Sequence, residues 1–389
     1  MLFQDFRVFT GERVLHGVDV LVSSGRVVAV GHGLAVPGPA VPGARGRPVV
    51  RGAGRTLLPG LIDAHVHVLP GASRQAVRFG VTTQLDMFAE PHVLRVERAA
   101  GPDAADLRSA GIGATAPGGH PGQYPRFSAF PTVSDARSAD AFVAARVAEG
   151  SDYLKVFASS APGEPGLPTL SPAVVAALVT AAHDRGLRVV VHATDQEAAL
   201  VAVRTGADGL AHLPFDRPPC PAFVAALAPV FVVPTLTAAE SFCQVPHVVD
   251  LRVAARLDAD ALANLADRME PRPAPHYRPE HACRAVRPLR DAGVALLAGT
   301  DAGVPGTAYG ASLHRELELL VEAGLTPVEA LAAATSAPAR CFGLRDRGRI
   351  APGLRADLVV VAGDPTRRIT DSAAVAAVYR GGRLVGGDA

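Results

Sequence analysis

Apolar positions along this chain follow three regimes. Near the N-terminus, short apolar runs repeat with period two at Arg13–Leu15, Val18–Val22 and Arg26–Val30, punctuated by Ser24-Gly25 and Gly31. That spacing predicts β-strands joined by turns. From Leu57 to about Arg345, compact apolar runs of strand length alternate with longer helical segments. From Gly348 the period-two pattern returns at Asp357–Val361, Val375–Tyr379 and Gly382–Val385.

The middle regime divides into eight strand-like runs: Leu61–His65, Val81–Asp86, Ile112–Thr115, Tyr153–Phe157, Arg188–His192, Gly209–His212, Val230–Pro234 and Ala295–Thr300. Helical patterns between them include Pro172–Arg185, which starts with the Ser-Pro pair expected at an N-cap and first helical position. Ala311–Val321 and Pro327–Cys341 also read as helices. Strands alternating with helices predict a parallel sheet. Eight units predict an α/β fold of the (β/α)8 TIM-barrel type over residues 57–345, with an open doubly wound sheet as the alternative. The two β-rich ends are each too short to bury a face alone. They are therefore expected to pair into a small β-sandwich domain from residues 1–56 and 346–389. The Pro- and Gly-rich stretch Val36–Arg47 reads as a surface loop.

The polar residues favour the barrel. His65 and His67 close the first strand, Lys155 lies in the fourth, His192 ends the fifth, His212 the sixth, and Asp301 follows the eighth. In a barrel these ends share the face where active sites are built. Residues two apart on a strand point to one side, so His65 and His67 can reach one cation. Imidazole and carboxylate suit zinc and its neighbours. The glycine-rich loop Ala116–Tyr124 opens on the same face, making His120 and Tyr124 candidate hydrogen-bond donors to an oxyanion. Plain packing of both rings against that loop is the other reading. Thr235, Thr237, Gly303 and Tyr309 also lie just beyond strand ends. A lone strand-end histidine usually has a structural role, and surface or structural roles are expected for His16, His32, His92, His183 and His247. Six metal-capable groups at five strand ends on one face are harder to attribute to chance.

Composition adds one pointed fact. Of 38 Lys and Arg residues, Lys155 is the only lysine. A buried amine can lose its proton and act as a nucleophile, whereas guanidinium stays charged. Alone, this solitary lysine is equally consistent with an arginine-biased chain. Net charge is +1 over 389 residues, which offers no electrostatic case for nucleic acid or an anionic membrane. The N-terminal residues lack the apolar core of a signal peptide, and no apolar run approaches membrane-spanning length. A cytoplasmic location is therefore expected. The four scattered cysteines read as ordinary reduced thiols.

Three segments together resemble the amidohydrolase superfamily, specifically its imidazolonepropionase-like and prolidase-like members. They are Pro59-Gly60-Leu61-Ile62-Asp63-Ala64-His65-Val66-His67, Gly310–Leu317 followed by Ala323–Pro327, and Gly348–Val359. The resemblance covers nearly the whole chain and implies a metal-dependent barrel with a flanking β-sandwich. It assigns His65, His67 and Asp301 to one divalent ion and His192 and His212 to a second. Lys155, carboxylated at N6, bridges the two, and zinc is the expected metal. It also implies a hydroxide between the ions attacking a carbonyl, with Asp301 as general acid/base. The expected reaction is hydrolysis of a C–N bond in a small amide, peptide-like compound or cyclic amide. The alternatives are a lactonase, esterase or deaminase using the same site, and a non-catalytic binding protein. Homo-oligomerisation stays open. The link Leu69–Arg74 is short against the excursion expected of prolidase-like relatives, while Val245–Pro288 is long and reads as helices forming a lid.

Overall fold

The computed structural model describes residues 1–34, 48–124, 129–159, 166–246, 249–270 and 274–387. The expected loop Val36–Arg47 and His247 lie outside the described residues.

The strands come in three groups. The N-terminal segment forms β1 (Leu2–Phe9), β2 (Val14–Ser23), β3 (Arg26–Gly31), β4 (Val49–Arg51) and β5 (Thr56–Pro59). The middle contributes β6 (Leu61–Val66), β7 (Val81–Asp86), β8 (Asp106–Ser109), β9 (Leu154–Phe157), β10 (Val189–His192), β11 (Gly209–Ala211) and β12 (Phe231–Val233). The C-terminal segment adds β13 (Leu358–Val361), β14 (Val375–Arg380) and β15 (Arg383–Gly387).

Both ends of the chain enter one sheet, in the order β15-β14-β13-β5-β1-β2-β3, with β4 pairing β1. The expected sandwich is thus a single continuous hydrogen-bonded path. β13 runs antiparallel to β5, which places Val359 opposite Leu58 and Val361 opposite Thr56. One face buries Phe3, Phe6, Val8, Val20, Leu57, Leu358, Val360 and Tyr379 in a cluster of their own. β1 escapes a period-two reading because Gln4 and Asp5 interrupt it, and its register with β2 shifts at two places.

The middle strands form two parallel sheets, β6-β7-β8 and β12-β11-β10-β9. Two of the eight expected strands differ. The third reads as Ile112–Thr115, but the regular strand is β8, and Ala114 makes only an isolated bridge to Val156. The eighth, Ala295–Thr300, is not a regular strand. Individual bonds join it to its neighbours: Leu297 N donates to Val232 O at 2.9 Å, and Ala64 N donates to Ala298 O at 2.9 Å. Alternation along β9 sends Leu154 and Val156 into the main core with Val175 and Leu178 of the helix Pro172–His183. Lys155 and Phe157 therefore point to the opposite side.

Ser171 caps the helix Pro172–His183 through Val174 N, as its Ser-Pro start predicts. The expected helix Pro327–Cys341 is two, Pro327–Ala333 and Ser336–Cys341. The break falls at Thr335, whose backbone is not helical. The long segment after β12 contains the helices Leu251–Ala254 and Ala259–Ala266. Among the described residues, no helix is long and apolar enough to cross a membrane. All four cysteines are free thiols.

Candidate metal centre

β6 carries the first half of the site. Its Asp63 is fully buried and accepts hydrogen bonds from His65 N (3.3 Å), Thr300 N (3.0 Å) and Thr300 Oγ1 (2.7 Å). These bonds tie the end of β6 to the segment that presents Asp301. Burial pushes the Asp63 carboxyl up to about 7. As a result, His65 Nε2 and His67 Nε2 lie 3.1 and 3.0 Å from Asp301 Oδ1. The two nitrogens are 3.4 Å apart. Gly299 permits this approach, since a Cβ there would come within 2.8 Å of His65 N.

The second half sits on β10 and just past β11. His192 Nδ1 and His212 Nε2 are 3.0 Å apart. Thr235 Oγ1 donates to Pro234 O at 2.8 Å, so it accepts from His212 Nδ1 at 2.5 Å. That bond fixes the tautomer and leaves His212 Nε2 bare toward His192. The rings of His65 and His212, with centroids 4.9 Å apart, join the two halves.

Lys155 lies beneath them with no exposed surface. Its Nζ is buried without a hydrogen-bond partner, 5.5 Å from the Phe157 ring centroid. Burial lowers the amine to about 7. Burial likewise lowers His65 to about 3 and takes His192 and His212 well below the usual imidazole range, so all three are neutral. Burial alone would raise Asp301, but His65, His67 and His212 pull it well below the usual carboxylate range. His192 Nε2 and Asp301 Oδ1 are also buried without a hydrogen bond. Imidazoles, a carboxylate and a buried amine thus converge. This donor set fits divalent cations.

Of the loop residues, His120 is brought in and Tyr124 stands behind it. The His120 ring is 4.8 Å from that of His192 and 5.3 Å from that of Phe157. Gln123 Nε2 contacts its Nδ1 at 2.9 Å. The half-buried Tyr124 ring is 5.8 Å from His120. Tyr309 Oη donates to His67 O at 2.7 Å, which props the backbone at that histidine. Gly303 takes φ +111 there, and a Cβ would meet His67 O at 2.3 Å. Gly303 and Tyr309 also line a cleft of about 580 Å³ with Gly71, Arg74, Asp258 and Asn264. His16, His32, His92 and His183 are exposed and away from the cluster.

Sequence reasoning passed over three acids with no exposed surface. They are Asp63, Asp86, which accepts from Val68 N (2.9 Å) and Ser109 Oγ (2.5 Å), and Glu316. Asp63 and Glu316 do stand inside the quoted motifs, but nothing local marks them as buried.

The model of the amidohydrolase family matches residues 56–385. The chain belongs to the amidohydrolase family. Membership implies a divalent metal cofactor and a small-molecule substrate. Among curated relatives, an imidazolonepropionase of Deinococcus deserti is 49% identical over 76 residues, 19% of this chain and 19% of that protein. An adenine deaminase 2 of Desulfotalea psychrophila is 49% identical over 49 residues, 13% of this chain and 8% of that protein. These matches span less than a fifth of the relatives' length. Two solved structures align nearly end to end. A Xaa-Pro dipeptidase with bound methionine has a TM-score of 0.79 at 20% identity, covering 98% of each chain. A. niger ochratoxinase has a TM-score of 0.76 at 19% identity, covering 99% of this chain and 96% of its own. At such identities the likeness shows the fold, which is TIM-barrel-like with an extra domain.

Proposed function

We propose that this amidohydrolase is a binuclear metal enzyme that hydrolyses a C–N bond of a small amide, peptide-like compound or cyclic amide. The observation that carries the reading is the convergence of His65, His67 and Asp301 with His192 and His212 above an unpartnered, fully buried Lys155 amine. In this reading the bridges at Ala114 and Ala302 belong to a closed (β/α)8 barrel. Residues 57–345 form the barrel, and residues 1–56 and 346–389 form the flanking domain.

His65, His67 and Asp301 would hold one ion, His192 and His212 the other, and Lys155 both. Lys155 would do so as a carbamate: its neutral amine adds to CO2, a proton leaves, and one negative charge is shared by two oxygens. Ions held there, zinc by donor type, would supply Lewis acidity and make a water acidic near neutral pH. Asp301 accepts the proton of the attacking water and passes it to the departing nitrogen. Gln123 Nε2 donates to His120 Nδ1, which puts the His120 hydrogen on Nε2, free to donate to the carbonyl oxygen.

The test is direct. The protein purified from zinc-supplemented medium should carry two divalent ions per chain and cleave members of a panel of N-acyl amino acids, dipeptides and cyclic imides. Chelation should remove both properties, and zinc should restore them. A metal-free protein with chelator-insensitive activity would reject the reading. His120→Ala should lower kcat by about a hundredfold with little change in KM, the loss expected for one oxyanion donor. A kcat within a few-fold of wild type would remove His120 from the chemistry.

The adenine deaminase match favours one second reading, attack on an amidine carbon with release of ammonia. Ammonia release from aminopurines, with no cleavage of the amide panel, would select it.

A further inference from the structure

Glu316 is fully buried in the helix Ala311–Glu322. Its carboxylate meets the start of the helix Leu236–Phe242. Leu236 N donates to Oε1 at 3.0 Å, Thr237 N to Oε2 at 2.9 Å, and Thr237 Oγ1 lies 3.1 Å from Oε2. The same Thr237 hydroxyl reaches Thr300 O at 3.1 Å. The adjacent Arg315 is engaged elsewhere, with Glu240 at 2.9 Å and Glu322 at 3.0 Å.

These bonds converge on two unusual backbones. Thr235 and Asp301 are non-glycine residues with φ of +50° and +59°. Such conformations persist only where surrounding structure holds them, and they are rarer still for a β-branched residue. Thr235 orients His212, and Asp301 is itself at the centre of the first half-site. Glu316 holds the two peptides after Thr235 and, through Thr237, the carbonyl before Asp301.

We infer that Glu316 is a positioning residue. Acting through Thr237, it locks Thr235 and Asp301 in left-handed conformations and so sets the geometry of both halves of the centre at once. A Thr237 hydroxyl has one hydrogen but two oxygen neighbours here. A proton on Glu316 satisfies both contacts, because its O–H donates to Thr237 Oγ1, which donates onward to Thr300 O. Burial raises the Glu316 carboxyl to about 8, consistent with that protonated form near neutral pH.

The inference rests on the binuclear reading above, and the experiment separates the two. Thr237→Val removes the hydroxyl and keeps the shape, and Thr237→Ser restores it. The readouts are Zn2+ affinity by competition with a chelating dye and the visible absorption of the Co2+-loaded protein, which reports ligand geometry without any substrate. Thr237→Val should weaken Zn2+ binding by about tenfold or more and alter the Co2+ bands, the size expected for a residue behind the ligands. Thr237→Ser should return both to near wild type. Wild-type Zn2+ affinity and Co2+ bands in Thr237→Val would overturn the inference while leaving the binuclear reading intact. A wild-type protein that binds neither Zn2+ nor Co2+ would overturn the binuclear reading and the inference with it.

Discussion

A Lys155→Arg protein is expected to lose paired divalent-ion binding and hydrolysis together. The position has no exposed surface, and His65, His192, His212 and Asp301 lie near enough to couple to its charge. Lysine can occupy it as a neutral amine because burial lowers its pKa to about 7. Arginine keeps its proton, so the substitution puts a permanent cation where the proposal requires an anion. It cannot react with CO2 to give a carbamate. Space is also short, since even a methyl group on Gly113 would stand 3.2 Å from Lys155 Cγ. Metal analysis should find one ion or none per chain in the variant against two in wild type. Lys155→Ala separates charge from bulk: it should be inactive alone and partly rescued by acetate or propionate, whose carboxylate can take the place of the carbamate. An arginine variant that binds two ions and turns over normally would show that the solitary lysine is an accident of composition.

The convergence of the strand-borne side chains was legible in the sequence. A His-x-His pair on a strand must place both rings on one side, and strand ends in an alternating β/α chain must gather on one face. His65, His67, His192, His212 and Lys155 follow from those two rules. What holds them was not legible, because it depends on contacts distant in sequence. Asp63 meets Thr300 across 237 positions, and Glu316 meets Thr237 across 79. Glu316 lies in Leu313-His314-Arg315-Glu316-Leu317-Glu318, where a charged residue reads as an outward-facing partner for its neighbours. Only the fold shows that Arg315 turns toward Glu240 while Glu316 turns inward. The eighth strand misled for a related reason. Its apolar run is real and buried, but the residues around Gly299 serve a close approach to His65 and are not a regular ladder.

Asp301→Asn should cost most of the activity while keeping the shape of the site. Asparagine has the shape of aspartate and, like it, tolerates the left-handed backbone found here at φ +59°. The fold and the bonds from Asp301 N to His65 O and Thr300 N to Asp63 should survive. What disappears is the charge and the ability to take up a proton. His65, His67 and His212 hold this carboxyl well below the usual range against the effect of burial, so it is ionised at neutral pH, the form a proton acceptor needs. An amide oxygen at the same place cannot do so. General acid–base groups contribute about 100- to 10,000-fold, and kcat should fall within that range on any compound the wild type cleaves. Single-turnover rates with both proteins saturated in Zn2+ isolate this loss from weaker metal binding. Thermal unfolding should stay near wild type, in contrast to Asp301→Ala, which lacks asparagine's tolerance of the left-handed region and should be less stable as well as inactive. A zinc-saturated Asp301→Asn protein that turns over within tenfold of wild type would move the proton transfer to another group.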